Sequence, residues 1–320
     1  MFRLLFFGTP AFAVASFNAL MESHHEVIGV VTQPDRPRGR GHVLTPGPIK
    51  LAAQAHQLPV WQPTTLKDAG FLDLVRSLEP DLGIVAAYGK ILPEVLLHIP
   101  RFGMLNVHAS LLPHYRGAAP INRAIIAGDA ETGVTIMRVV KELDAGPMLA
   151  RAVQPIAPSD TSVEVEAALA GLGATLLVDT LDRLSAGSVT EVPQDANLAT
   201  FAPRLTKEEG LIDWAMPASA LHNRVRGLQP WPMAYTFLAD ERVLIHQTAV
   251  DTPSPADVAA RAPGLIVASG PEALRVACGE GTALRILVLQ LQGRRPMPVR
   301  ELLAGHRILP GATFRSSPPP

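Results

Sequence analysis

Short apolar segments separated by helical patterns fill the first part of this 320-residue chain. The apolar segments have the length of buried β-strands and cover residues 2–8, 26–32, 81–88 and 102–109. Helical patterns lie between them, at residues 48–57 and 66–78. Continuous apolar strands joined by helices indicate a mostly parallel sheet that is covered on both faces. The sequence therefore predicts a Rossmann-like α/β fold for this part of the chain.

The pattern changes further along the chain. Strand-like segments at 131–140 and 146–156 precede a helical pattern at 161–186, and a second helical pattern covers 213–226. Short strand-like runs then follow at 243–250, 264–268, 273–277 and 283–290, a spacing typical of a small antiparallel barrel. We therefore predict a first domain at 1–186, a linker at 187–205, a C-terminal OB-like β-barrel domain at 206–315 and a disordered tail at 316–320.

Composition excludes several classes of protein. Hydrophobic residues make up 48% and charged residues 18% of the chain, which argues against a disordered protein. The single cysteine, Cys278, rules out an intramolecular disulfide and favours a reducing, cytoplasmic compartment. The apolar run at residues 2–8 is far shorter than the roughly 18 residues of a membrane span. We expect a cytoplasmic protein that does not cross a membrane.

Common cofactor and metal motifs are missing from the sequence. Gly8-Thr9-Pro10 follows the first strand, where a dinucleotide-binding fold carries G-x-G-x-x-G. Thr9 in this position could cap the following helix. The sequence contains neither a P-loop nor an H-E-x-x-H motif, and it has no cysteine pair. We therefore expect neither NAD binding nor a metal site.

Two polar residues mark the end of the fourth predicted strand. Asn106 and His108 are two residues apart, so their side chains lie on the same face, with Val107 opposite. Ligands of open α/β sheets bind beyond the carboxyl ends of the strands. There a histidine can transfer protons near neutral pH and an asparagine can donate a hydrogen bond to a developing oxyanion. Taken alone, the N-x-H spacing also fits two residues that merely end a strand and bond its loop.

The longer stretch from Asn106 to Asn122 resembles the signature of the folate-dependent formyltransferases, and Leu143-Asp144-Ala145-Gly146 resembles its downstream element. The resemblance implies a catalytic set of Asn106, His108 and Asp144, in which Asp144 orients His108 and accepts a proton from the acceptor amine. It also implies 10-formyltetrahydrofolate as the formyl donor. The residues expected to form the folate-binding segment are Tyr88, Gly89, Ile91, Ser110, Leu111, Leu112 and Pro113.

The acceptor is indicated by basic segments outside this set. The loop that starts at Thr32 and the residues around Trp231 and Gly305 resemble the family members that formylate methionyl-initiator tRNA. Residues 285–320 contain six arginines and one acid, a local charge that suits a polyanion. We therefore expect this tRNA and folate as partners. We also expect the protein to be a monomer. The predicted tRNA contacts are Arg36, Arg38, Arg40, Lys50, Arg294 and Arg295.

Other functions use the same catalytic set. A formyltransferase could act on an amino sugar nucleotide or a purine precursor, and a hydrolase could release formate from the folate. A non-enzymatic RNA-binding protein is a further alternative, although it leaves the placement of Asn106, His108 and Asp144 unexplained. The basic loop and the C-terminal domain favour tRNA, because a small acceptor needs neither.

Overall fold

A computed structural model gives the fold and describes residues 1–38, 43–251, 258, 260–306 and 308–317. Contacts between residues divide the chain into two compact units. The first unit contains Met1–Pro120, Glu131–Pro155 and Val165–Pro203, and the second contains Ile121–Ala130, Ile156–Glu164 and the residues from Arg204 onward. This division differs from the predicted domain limits, because residues 187–203 group with the first unit and two earlier segments group with the second.

A seven-stranded sheet forms the centre of the first unit, in the order β10-β9-β7-β6-β1-β2-β5. Strands β1, β2, β5, β6 and β7 are parallel, whereas β9 and β10 run antiparallel to their neighbours. The prediction of a mostly parallel α/β sheet is confirmed. The strands of this unit are β1 Arg3–Gly8, β2 Glu26–Val31, β3 Arg36–Arg38, β4 Val43–Thr45, β5 Val60–Trp61, β6 Leu82–Ala86, β7 Met104–His108, β8 Arg116–Gly117, β9 Glu131–Arg138, β10 Met148–Pro155 and β11 Phe201–Ala202.

The helices cover this sheet or belong to the second unit. They are α1 Ala11–Glu22, α2 Pro48–Ala55, α3 Ala69–Ser77, α4 Glu94–Leu97, α5 Pro120–Ala127, α6 Ser162–Ser185, α7 Ala218–Gly227 and α8 Val299–Gly305, with short 3-10 turns at Ala196–Leu198, Glu208–Gly210 and Gly279–Gly281. Among the described residues, no helix combines the length and apolar character needed to span a membrane.

Helices α1 and α7 both begin later than the sequence suggests. Helix α1 begins at Ala11, and the Thr9 hydroxyl, predicted as its cap, instead donates to the carbonyl of Tyr88 at 3.2 Å. Helix α7 begins at Ala218 rather than at residue 213, because Pro217 occupies the extended cap position. Proline favours a helix start because it lacks the N–H that an interior position needs.

The second unit is built on antiparallel strands. They follow an open path, β14-β15-β16-β13-β12-β18, with β17 added to β16, and form a curled half-barrel. Their bounds are β12 Ala234–Leu238, β13 Glu241–Val250, β14 Ile266–Ser269, β15 Leu274–Ala277, β16 Ala283–Leu291, β17 Met297–Pro298 and β18 Phe314–Arg315. The predicted short strands are confirmed. Of the predicted tail, the Ser316 hydroxyl accepts a hydrogen bond from the Trp214 amide, and residues 318–320 lie outside the described residues.

Trp214 is a buried member of the second unit's core. Its ring stacks on Phe314 with 5.5 Å between centroids, and its indole N–H donates to the Thr236 hydroxyl at 2.9 Å. Replacement of Trp214 by alanine leaves a large cavity, so we expect the free energy of unfolding to fall by roughly 3–5 kcal/mol. Urea denaturation measures this loss. The matched control is Trp231→Ala, since Trp231 is 50% exposed. An equal loss of unfolding free energy in both variants would contradict the assignment of Trp214 to the core.

Candidate active site

Strand β7 carries the two central polar residues of the site. It lies between β6 and β9, and in this register Asn106 pairs with Val85 and Met137 while His108 pairs with Thr135. Val107 is buried on the opposite face of the strand from Asn106 and His108. The two-residue alternation of side chains predicted from the sequence is therefore present in the structure. Both side chains lie at the carboxyl end of a central strand.

The His108 ring is held by a main-chain carbonyl. Its Nε2 lies 3.0 Å from the carbonyl oxygen of Tyr115. A carbonyl can only accept, so Nε2 carries the hydrogen. Nδ1 is therefore the ring nitrogen that is available to accept or donate a proton. Nδ1 faces Asp144 Oδ2 at 3.7 Å, which is an ion-pair separation and longer than a hydrogen bond. The Tyr115 carbonyl therefore orients the ring through Nε2, and Asp144, which the resemblance predicts to orient His108, faces the other ring nitrogen.

Asp144 lies in a turn within the connection between β9 and β10. The amide of Gly117 donates to its Oδ2 at 2.8 Å. Its φ of 49° is left-handed, which is uncommon for a residue other than glycine. Gly146 is required two residues later, because a Cβ there would lie 2.0 Å from the carbonyl oxygen of Arg138. This packing fixes the turn against β9 and presents the carboxylate toward His108.

The predicted folate segment after β7 is mostly interior. Ser110 and Leu112 are fully buried, Pro113 is buried and Leu111 is half-buried. The buried Thr135 hydroxyl donates to the carbonyl of Ser110 at 2.7 Å and accepts from the amide of Leu112 at 3.2 Å. The Thr135 hydroxyl thus holds the loop in place beside the site. This role cannot be predicted from the sequence, because a threonine in a strand pattern carries no sign of it.

The second part of the predicted folate segment follows β6. The Tyr88 ring packs in the core against Phe7, and burial raises the pKa of its phenol to about 12. Its carbonyl, rather than its side chain, bonds Thr9 and the Gln33 amide. Gly89 adopts a positive φ of 80°, and Ile91 is 85% exposed. Of these residues, Ile91 is the apolar side chain open to a ligand.

The predicted tRNA contacts differ in their surroundings. Lys50 Nζ bonds Asp35 at 2.6 Å and Gln62 at 2.9 Å. The hydrogen bond from Lys50, with a further one from Gln62, lowers the pKa of the Asp35 carboxyl, so the charge of Lys50 is largely neutralised. Arg36 is exposed and donates to Gln33 Oε1 at 2.7 Å. Arg38 ends β3, and Arg40 lies outside the described residues.

In the second unit, Arg294 and Arg295 are both exposed, and Arg295 pairs with Glu301 at 2.9 Å. This exposed pair is screened by water, so Arg295 stays available to another anion.

A cluster with metal-ligand spacing occurs within the described residues, away from this site. Ligand atoms of His24, His25 and Asp182 lie within 4.8 Å of one another. However, His25 Nδ1 accepts the Phe2 amide hydrogen at 3.1 Å, so Nε2 carries a hydrogen and donates to Asp182 at 3.1 Å. A neutral ring in this tautomer has no lone pair left for a metal. The cluster therefore fits a structural hydrogen-bond group.

Comparisons with known proteins agree with this architecture. The formyl transferase family profile matches residues 2–181, and the profile of the formyl transferase C-terminal domain matches residues 204–307. In fold, the chain is similar to an N-formyltransferase from Helicobacter canadensis solved with folinic acid and dTDP-3-aminofucose. That similarity has a TM-score of 0.68 at 15% identity and covers 89% of this chain and 99% of that one.

Full-length relatives are closer in sequence. The chain is 45% identical over 309 residues to the methionyl-tRNA formyltransferase of Citrifermentans bemidjiense, covering 97% of this chain and 95% of the relative. It is 48% identical over 305 residues to that of Chromohalobacter salexigens, covering 94% of this chain and 93% of the relative. The chain therefore belongs to the formyl transferase family, in the branch whose full-length relatives are methionyl-tRNA formyltransferases.

Proposed function

We propose that the chain transfers a formyl group from 10-formyltetrahydrofolate to the α-amino group of methionyl-initiator tRNA, for translation initiation. The observation that carries the chemistry is the arrangement of Asn106, His108 and Asp144, with His108 Nδ1 directed at Asp144 Oδ2 across 3.7 Å. The choice of acceptor is supported by the relatives, whose similarity extends through both parts of the chain. The folate donor is supported by the folinic acid bound in the Helicobacter canadensis neighbour.

The proposed reaction has a balanced proton path. The neutral amine attacks the formyl carbon and makes a tetrahedral intermediate with a negative oxygen and a positive nitrogen. The amine loses one proton, the bond from the formyl carbon to the folate nitrogen breaks, and that nitrogen gains one proton. A free α-amino pKa of about 7.7–8.0 leaves a modest neutral fraction at pH 7, so a local proton acceptor accelerates the attack.

Each of the three residues has a distinct task in this reaction. The Asn106 amide donates a hydrogen bond to the oxygen of the intermediate. Because the Nε2 hydrogen of His108 is held by Tyr115, His108 donates to that oxygen only when Nδ1 is also protonated. The Asp144 carboxylate, 3.7 Å away, is the counter-charge for the resulting imidazolium. Asp144 also accepts the amine proton, directly or through water.

The experiment that tests this function uses the purified chain with 10-formyltetrahydrofolate and one acceptor at a time. We expect rapid formylation of methionyl-initiator tRNA and, with an amino sugar nucleotide, a rate at background. Faster transfer to the amino sugar, or release of formate without formylated product, would replace the proposal with one of the alternatives named above.

The basic loop gives a separate prediction for tRNA binding. Arg36, Arg38 and Arg40 are proposed to contact phosphates, together with Arg294 and Arg295, whereas Lys50 is neutralised by Asp35. We expect Arg36→Glu and Arg40→Glu to weaken tRNA binding, and to reduce the log–log salt slope by about 0.9 for each lost contact with duplex-like phosphate. Filter binding across a salt series measures both quantities.

The matched control for this experiment is Arg76→Glu, since Arg76 is an exposed arginine on α3 that pairs with Asp73. It should leave the slope unchanged, and folate affinity should be the same in all variants. Loop variants that bind tRNA with the wild-type salt slope would contradict the assignment.

A further inference from the structure

The segment Val192–Ala202, predicted from the sequence as part of a linker, is hydrogen-bonded to the loop that follows β7. The amide of Tyr115 donates to the Thr200 hydroxyl at 2.9 Å, and the amide of Arg116 donates to the Thr200 carbonyl at 2.9 Å. Its last residues, as β11, pair in parallel with β8. We call Val192–Ala202 the bracing segment. Because Tyr115 supplies the carbonyl that orients His108, the bracing segment supports one of the two partners of that ring.

The same segment reaches the other partner through Gln194. Gln194 Nε2 donates to the carbonyl of Asp144 at 2.9 Å and to the carbonyl of Gly146 at 2.8 Å. Gln194 Oε1 accepts from Nε of Arg116 at 3.0 Å and from its Nη2 at 2.8 Å. Carbonyls only accept and a guanidinium only donates, so the reversed amide would lose all four bonds. Both ends of this side chain are therefore specified by their partners.

The turn that Gln194 holds needs such support. Asp144 has a left-handed φ, a conformation that persists only where the surroundings over-determine it. The two carbonyls that accept from Gln194 belong to the residues on either side of Ala145, so one side-chain amide is hydrogen-bonded to both ends of the turn. From the other side, the amide of Gly117 holds the carboxylate. Arg116 immediately precedes Gly117. Gln194 therefore bonds both the turn and Arg116, the neighbour of the residue whose amide bonds the carboxylate.

We propose that Gln194 is a positioning residue for formyl transfer, which sets the Asp144 carboxylate against His108 Nδ1 by holding the Asp144 turn. The proposal rests on the proposed function of the chain. Gln194 acts through Asp144, since its hydrogen bonds reach the Asp144 turn and Arg116. A displacement of about 1 Å at a reacting group can lower a rate by roughly 10²-fold. The loss of the Gln194 hydrogen bonds should therefore affect turnover more than substrate binding.

The first test compares Gln194→Met, which keeps the length of the side chain without its polar groups, with Gln194→Glu, which keeps an acceptor for Arg116 but loses the donor. We expect both to lower kcat by at least about tenfold, with little change in the KM for the folate and in Tm. The matched control is Gln54→Met, an exposed glutamine on α2 of the same unit. A kcat within about twofold of wild type in both Gln194 variants would overturn the proposal.

A double-mutant cycle with Asp144→Asn separates positioning from a general structural effect. If Gln194 acts through Asp144, Gln194→Met should cost less than about threefold in the Asp144→Asn background, since residues in one network are not additive. Full additivity would overturn the proposal.

A readout independent of activity is hydrogen exchange of the turn at residues 142–148. It should be faster in Gln194→Met than in Gln54→Met, and equal rates would overturn the proposal. Absence of formyl transfer by the wild-type chain would refute the proposed function, and the exchange measurement would still decide whether Gln194 holds the turn.

Discussion

Asn106→Ala is expected to lower the kcat of formyl transfer by about 10²–10³-fold, the usual cost of losing one oxyanion donor. The side chain lies at the carboxyl end of β7, where it faces the same side as His108. Alanine keeps the strand hydrogen bonds, so the loss should arise in the chemical step. His108→Ala removes the second donor and is expected to cause a loss of at least the same size.

Single-turnover kinetics with saturating folate and tRNA measures this loss directly. Folate affinity should change little, because the proposed contact forms with the intermediate. The matched control is Asn18→Ala, an exposed asparagine on α1, and it should have wild-type turnover. Near-normal turnover in Asn106→Ala would remove Asn106 from the catalytic set.

Asp144→Asn is expected to lower kcat by roughly 10²–10⁴-fold, the range for removal of a proton acceptor. The amide oxygen can still accept from the Gly117 amide, so the turn keeps its shape while the negative charge is lost. The counter-charge for a protonated His108 is lost in the same change. The loss should therefore combine slower proton removal with weaker stabilisation of the oxyanion.

Initial rates across a pH series measure the effect of this change. Asp179→Asn serves as the control, because Asp179 is an exposed carboxylate on α6 whose pair with Arg183 is a weak surface contact. A rate for Asp144→Asn equal to that of the control would show that the carboxylate has no part in the reaction.

Local patterns in the sequence were enough to predict the elements that hold the site. The four apolar segments correspond to β1, β2, β6 and β7, and the two-residue period placed Asn106 and His108 on one face. These features depend on neighbours along the chain, so a sequence contains them. The similarity to a long family signature then supplied Asp144, which local pattern alone reads as a turn residue.

The remaining parts of the site depend on contacts between distant segments. The bonds from Gln194 to the Asp144 turn join residues far apart in sequence, and the segment that carries Gln194 has no helical or strand periodicity. The pairing of Lys50 with Asp35 is likewise invisible to a count of charges, which treats both groups as free. Tyr88 is a predicted folate-site residue at the end of an apolar segment, and the burial of its ring in the core depends on packing that a local pattern does not contain.

The most direct test of the proposed function is a competition for one labelled donor. The purified chain is given 10-formyltetrahydrofolate with a labelled formyl group, methionyl-initiator tRNA and an amino sugar nucleotide at equal concentrations. We predict that the label is recovered on the methionine of the tRNA, and that Asn106→Ala lowers this transfer by about 10²–10³-fold. Label recovered mainly on the amino sugar, or as free formate, would contradict the account.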